Sequence, residues 1–226
     1  MRPHLVSLLF LLAFSLPAAA QFEQGVHYHP TGVAAPAARD AVEVVEAFAY
    51  PCPACRSFLP LISEWESNRP DYVAFRRLPI VLQPGWDLYA RAYYTAQVIG
   101  LGHEAHEGLF RALHDQGQRI ASVNDLARFY ANYGVEPDTF TSTAQSFAVD
   151  SRMRQNRNEV GSWGVRSTPT MIINGKWRVS PRRGSTYEEL LAVVDYLVAR
   201  EAEELGLGPF SQAQDDEEPV EAGSGG

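Results

Sequence analysis

A chain of 226 residues, 46% of them apolar, is long enough to bury one substantial core and too short for several domains. Its formal net charge of −8 leaves no basic face for a phosphate backbone and no polybasic patch for anionic lipid, so neither nucleic acid nor a membrane surface is an expected partner.

The N-terminus carries Arg2, a predominantly apolar run from Leu5 to Leu16, and then Pro17-Ala18-Ala19-Ala20. Ala18 and Ala20 supply the small residues of an A-x-A cleavage site, so residues 1–20 read as an export signal and Gln21 as the first mature residue. The run is too short to span a bilayer comfortably. Gly25 to Asp40 is a Pro-, Gly- and Ala-rich lead-in with room for one short strand.

Ala41 to Tyr50 is Val-rich, ends at Pro51 and reads as a strand. A helix follows, with Pro53 suited to its first position and an apolar stripe through Cys55, Phe58, Ile62 and Trp65. Pro60 falls inside it, where a kink is expected. Tyr72 to Leu78 reads as a second strand. From Asp87, taken as a cap, to about Ser162 the pattern is helical. Further segments begin at His103, after the capping sequence Ser122-Val123-Asn124-Asp125, at Pro137 and near Val149. Strands return as Thr170–Ile173 and Lys176–Val179 around Asn174-Gly175, the signature of a type I′ hairpin turn. Thr186 then caps a last amphipathic helix through Leu190, Val194, Leu197 and Val198. The order describes one α/β layer interrupted by a helical insertion. Beyond Gly208 the chain holds Asp215, Asp216, Glu217, Glu218 and Glu221 without a Lys or Arg, and reads as a disordered acidic tail.

The two cysteines, Cys52 and Cys55, stand at C-x-x-C spacing. A disulfide closing so short a loop restricts the unfolded chain little, worth about 2 kcal/mol on the loop-entropy model, so a purely structural staple is a poor explanation of the pair. Cys52 falls at the helix N-terminus, where unpaired N–H groups and the positive dipole end favour a thiolate. Cys55 continues the apolar stripe. The expected division is an accessible attacking Cys52 facing solvent and a shielded resolving Cys55. Glu46, six residues before Cys52 among Val44, Val45, Ala47 and Phe48, is expected to be buried, with a raised pKa suited to relaying the resolving thiol's proton. Arg77, or less well Arg76, is the candidate counter-charge. The alternative for Glu46 is a solvent-facing Glu on a half-exposed strand, as Glu43 is expected to be. His103-Glu104-Ala105-His106-Glu107 fails the zincin pattern, because Glu107 stands where a second His is required. With His103 and His106 expected in solvent on a separate helix, no metal site is expected, and no cofactor motif is present. Phe22, Tyr28, Trp86, Tyr93 and Tyr94 are expected as core or interface aromatics.

Phe48-Ala49-Tyr50-Pro51-Cys52-Pro53-Ala54-Cys55 and Val165-Arg166-Ser167-Thr168-Pro169-Thr170 resemble the two signatures of the thioredoxin superfamily, and the helical insertion resembles its DsbA-like branch. The resemblance runs from about Val42 to Ala199. It implies a thioredoxin fold with an inserted α-helical domain: residues 21–86 and 163–205 as the two parts of the thioredoxin-like domain, 87–162 as the insertion and 206–226 as the tail. It also implies a cis bond before Pro169 beside the cysteines, with Thr168 offering its backbone to an extended substrate. The implied activity is disulfide introduction into reduced, newly exported proteins in the periplasm, by a monomer that a membrane quinone-coupled partner reoxidises. Reductase or isomerase activity on the same scaffold, and a non-catalytic binding module, are the alternatives. Isomerases of the superfamily usually carry an added dimerisation domain, for which the lead-in leaves no room. Ala54 stands where many DsbA-like oxidases have His, so a weaker oxidant is expected.

Overall fold

The computed structural model describes residues 22–34 and 40–208. The expected export signal (1–20) and all but the first three residues of the expected tail lie outside the described residues. The described elements, in order, are β1 (His29–Pro30), β2 (Val42–Phe48), α1 (Pro53–Asn68), β3 (Val73–Pro79), α2 (Trp86–Ile99), α3 (His103–Phe110), a π-helical stretch (Arg111–Asp115), α4 (Val123–Ala131), α5 (Pro137–Ala144), α6 (Phe147–Ser162), β4 (Thr170–Ile173), β5 (Trp177–Val179) and α7 (Tyr187–Leu205).

Among the described residues one five-stranded sheet forms, in the order β1-β5-β4-β2-β3. β2 runs parallel to β3 and antiparallel to β4, while β5 is antiparallel to both β4 and β1. Central β2 is covered on both faces, which is why Val42–Phe48 lacks a clean polar alternation. Its side chains nevertheless divide by parity. Val42 and Val44 join the core built with Phe58 and Ile62 of α1 and Leu190, Val194 and Leu197 of α7. Val45 and Ala47 face the opposite way, into a cluster with Leu78, Trp163, Val165 and Ile172. By the same alternation Glu46 projects toward the α1 side.

The helices between β3 and β4 gather around a third core, in which Leu109, Phe110, Leu126, Tyr130 and Phe140 pack with Phe48, Tyr50 and both cysteines. That continuity joins the helical block to the cysteine turn. α1 runs unbroken through Pro60 to Asn68. The Ser122 hydroxyl caps α4 by accepting from Asp125 N–H at 3.1 Å, and Thr186 caps α7 through Glu189 N–H at 3.1 Å. Asn174 (φ 50°) and Gly175 (φ 66°) adopt the left-handed conformations of the expected hairpin turn.

Three local expectations are corrected. α2 begins at Trp86, with Gly85 at its N-cap in a left-handed conformation (φ 84°), so Asp87 lies inside the first turn and is not the cap. α6 starts at Phe147 because the Ser146 hydroxyl accepts from Val149 N–H at 3.3 Å. The helix from His103 does not continue in α geometry to Leu113, but widens into the π-helical stretch after Phe110.

Candidate active site

Cys52 is the N-cap residue of α1, with extended backbone (φ −84°, ψ 115°), and Pro53 opens the helix. A turn delivers it there: Cys52 N–H donates to Ala49 O at 3.1 Å, and Arg56 N–H closes the first helical bond onto Cys52 O, also at 3.1 Å. Cys52 and Cys55 are both free thiols. Cys55, on the buried stripe, is 1% exposed; Cys52 is 8% exposed. The expectation that Cys52 faces solvent is therefore corrected: it is buried at the edge of the core shared with the helical block, and the loop before β4 lies against its sulfur.

That loop contains the Thr168–Pro169 peptide, which is cis. Thr170 Oγ1 pins the loop, donating to Ser167 O at 3.0 Å and sharing a hydrogen bond with Ser180 Oγ at 2.7 Å. Thr168 O lies 3.6 Å from Cys52 Sγ and accepts from the thiol. Sequence reading thus locates both signatures, and the fold brings them into contact across 116 residues.

The electrostatics separate the two sulfurs. The Cys52 thiol is lowered to about 5, first by a hydrogen bond from Cys55, against the opposing effect of burial, and then by bonds from the Thr168 side chain and from the N–H groups of Cys55 and Ala54. Cys55 moves the other way. Burial pushes its thiol far up, and the hydrogen bond to Cys52 and that residue's charge add to the rise. Ala54 contributes backbone only; its carbonyl accepts from Tyr187 Oη at 3.1 Å.

Glu46 is 2% exposed, and burial raises its carboxyl to about 7 even though Arg77 opposes the shift. Arg77 is its cross-strand neighbour in the β2–β3 register and donates through Nε to Glu46 Oε2 at 3.1 Å. Arg77 Nη2 reaches Glu66 of α1 at 2.6 Å. Both Arg77 and Glu66 line a pocket of about 410 Å³ together with Tyr50, Tyr93, His103 and His106. Glu46 also contributes to the rise at Cys55. Arg76, the weaker candidate, turns away to Glu43 and Glu159.

His106 corrects the sequence reading. It is buried, with Nδ1 2.8 Å from Tyr50 Oη, its ring against Phe48 and Phe110, and burial holds it well below the usual histidine range. His103 is exposed and pairs with Glu107 at 3.0 Å. His114, which sequence reading passed over, approaches Tyr50 O at 2.7 Å. Neither contact had a signal in the linear pattern, because each joins the helical block to a turn more than 50 residues earlier.

A sulfur held as thiolate at a helix N-terminus, beside a shielded second sulfur whose thiol is strongly favoured, can exchange disulfides in two steps. The comparisons agree with that chemistry. A family model described as a DSBA-like thioredoxin domain matches residues 86–192. The thiol:disulfide interchange protein DsbA of Pseudomonas syringae pv. tomato is 35% identical over 192 residues, covering 84% of this chain and 90% of that one. The protein of the same name from Pseudomonas aeruginosa is 34% identical over 160 residues, covering 71% and 76%. Among solved structures, oxidoreductase DsbA from Xylella fastidiosa superimposes with a TM-score of 0.73 at 34% identity, covering 79% of this chain and 97% of that one. Pseudomonas aeruginosa DsbA does so with a TM-score of 0.76 at 31% identity, covering 81% and 96%. With relatives of that identity spanning most of its length, the chain belongs to the DsbA family of thiol:disulfide interchange proteins.

Proposed function

We propose that this protein is a periplasmic oxidase that introduces disulfides into reduced, newly exported proteins through Cys52 and Cys55. The observation that carries this reading is the opposition between the sulfurs, Cys52 lowered to about 5 and Cys55 raised. In the first step a substrate thiolate attacks Cys52 Sγ of the Cys52–Cys55 disulfide. The intramolecular S–S bond breaks, a mixed disulfide to Cys52 forms, and Cys55 leaves as a thiolate that takes up a proton. In the second step the substrate's other thiolate attacks its own sulfur in the mixed disulfide, and Cys52 departs as a thiolate. The substrate loses two electrons to the enzyme, and Cys52, stable as an anion, is a good leaving group, which drives transfer toward reduced enzyme.

Glu46 supplies the proton that Cys55 needs, since a carboxyl near 7 holds one at neutral pH and lies on the α1 side of β2. Arg77 and Glu66 link it to the pocket beside α1. Thr168 and Pro169 form the ledge for the substrate chain: when the thiol no longer holds Thr168 O, that carbonyl is free to pair with an extended segment, a local strand addition. Export rests on the leader-like residues 1–20. Two electrons then leave the reduced enzyme for an acceptor, which we take to be a membrane quinone-coupled partner. The enzyme acts as a monomer, residues 87–162 being the inserted domain of a thioredoxin-like unit formed by 21–86 and 163–205.

The test is equilibration of the full chain with a glutathione redox buffer, together with stoichiometric transfer to a reduced two-cysteine peptide. An oxidase yields one peptide disulfide per enzyme disulfide, and Cys52–Cys55 becomes reduced at glutathione ratios that leave ordinary structural disulfides intact. A pair that stays oxidised under those ratios marks a reductase instead.

A further inference from the structure

The five-residue π-helical stretch Arg111–Asp115 sends two polar side chains back to the residues flanking the cysteines. Its defining bond runs from Gln116 N–H to Arg111 O at 3.0 Å. Single π turns interrupt helices rarely and concentrate at functional sites. His114 Nε2 lies 2.7 Å from Tyr50 O. A carbonyl only accepts, so Nε2 carries the hydrogen and the ring donates. The neighbouring Asp115 takes Arg56 in a fork, Oδ1 to Nε at 3.1 Å and Oδ2 to Nη2 at 2.7 Å.

The placement of the two contacts gives them their meaning. Tyr50 is a central residue of the turn that Cys52 N–H closes onto Ala49, and Arg56 is the residue whose N–H closes the first bond of α1 onto Cys52. One contact therefore fixes the chain just before Cys52 and the other just after Cys55. Tyr50 is held at its far end as well, its hydroxyl by His106 and its ring by Phe48 and Phe110. The donors that hold the Cys52 sulfur are directional, and a loosened turn misaims all of them together.

We propose that His114 and Asp115 are positioning residues, a clamp from the π-helical turn that grips Tyr50 and Arg56 on the two flanks of Cys52–Cys55 and keeps Cys52 aligned with the α1 N-terminus and Thr168. The clamp rests on the reading of Cys52 as the reactive sulfur. It assigns the helical block a part in tuning the thiol, from residues that touch neither sulfur nor substrate.

The experiment measures the pH profile of iodoacetamide reaction at Cys52 in the reduced full chain, alongside urea unfolding, for the parent, His114→Ala, His114→Gln and Asp115→Asn. His114→Ala and Asp115→Asn move the profile midpoint upward by about one pH unit and slow the reaction at pH 5 about fivefold, because the thiolate fraction falls. His114→Gln keeps a side-chain N–H donor and recovers most of the lost rate. Variants that lose urea resistance while their Cys52 profiles superimpose on the parent's overturn the clamp, leaving a structural contact. If His114→Ala does not fold, Asp115→Asn, a substitution at an exposed carboxylate that keeps its shape, decides by the same comparison. A parent profile with no acid-range midpoint overturns the reading of Cys52 itself, and the clamp with it.

Discussion

Glu46 sits where two opposing influences meet, the burial that raises it and the Arg77 guanidinium that lowers it, and burial wins. An acid whose folded pKa (about 7) exceeds its ordinary value (4.5) binds more protons in the folded state between those two pH values, so its contribution to stability falls as pH rises through that window. Above the window the ionised carboxylate costs the fold about 3 kcal/mol relative to the protonated one. Glu46→Gln removes that titration. In the disulfide form, where neither sulfur titrates, thermal scans from pH 4.5 to 8 therefore show a flatter Tm profile for the variant than for the parent. Parallel profiles would place the titration elsewhere. The same substitution removes a proton source from Cys55, so reduction of the Cys52–Cys55 disulfide by a peptide dithiol slows near pH 7.

At Gly108, α3 comes close to the residues just after α4. A side-chain carbon at Gly108 would overlap the Tyr133 hydroxyl and crowd its ring, and Phe129 stands behind it. Glycine there serves close packing and not backbone freedom, since Gly108 lies within α3 in ordinary helical geometry. Gly108→Ala gains a little helix propensity and loses more to overpacking, a net destabilisation of about 1–2 kcal/mol. A lowered urea midpoint at unchanged m-value is the expected result. Gly108→Ala combined with Tyr133→Phe, which removes the overlapping oxygen, recovers part of the loss. The sequence placed a helix here and gave no hint that this glycine was its contact point.

For the molecule as a whole, the redox state and the pH act on one balance. The Cys52 thiol is lowered to about 5 from an ordinary 9, so in the reduced protein its stabilising contribution is complete above the ordinary value and is lost as pH falls through 5. The disulfide form has no such dependence, because its sulfurs carry no protons. The difference in Tm between reduced and disulfide forms therefore narrows in the disulfide's favour as pH is lowered from 8 to 5, and paired thermal scans measure it directly. A constant difference across that range would show that Cys52 is not held as a thiolate. The same coupling shifts the exchange toward the reduced state at neutral pH, the direction an oxidase requires.

Local chemistry is written along the chain. Residue types and spacing were sufficient for the C-x-x-C at a helix start, the Asn174-Gly175 turn, the Ser122 and Thr186 caps and the helical run between strands, since each depends on neighbours a few residues apart. Burial of Glu46 followed from the apolar residues around it, and Arg77 as its partner from adjacent strands. Tertiary structure decided the rest. Burial of Cys52 came from the packing of the helical block and the approach of Thr168 to its sulfur, and His106 left solvent because the helical block packs on Tyr50. The reach of His114 and Asp115 from Arg111–Asp115 to either side of the cysteines exists only because that block packs against the cysteine turn and α1. No local periodicity encodes such contacts, because their partners are set by how separate elements pack and not by neighbours in the chain.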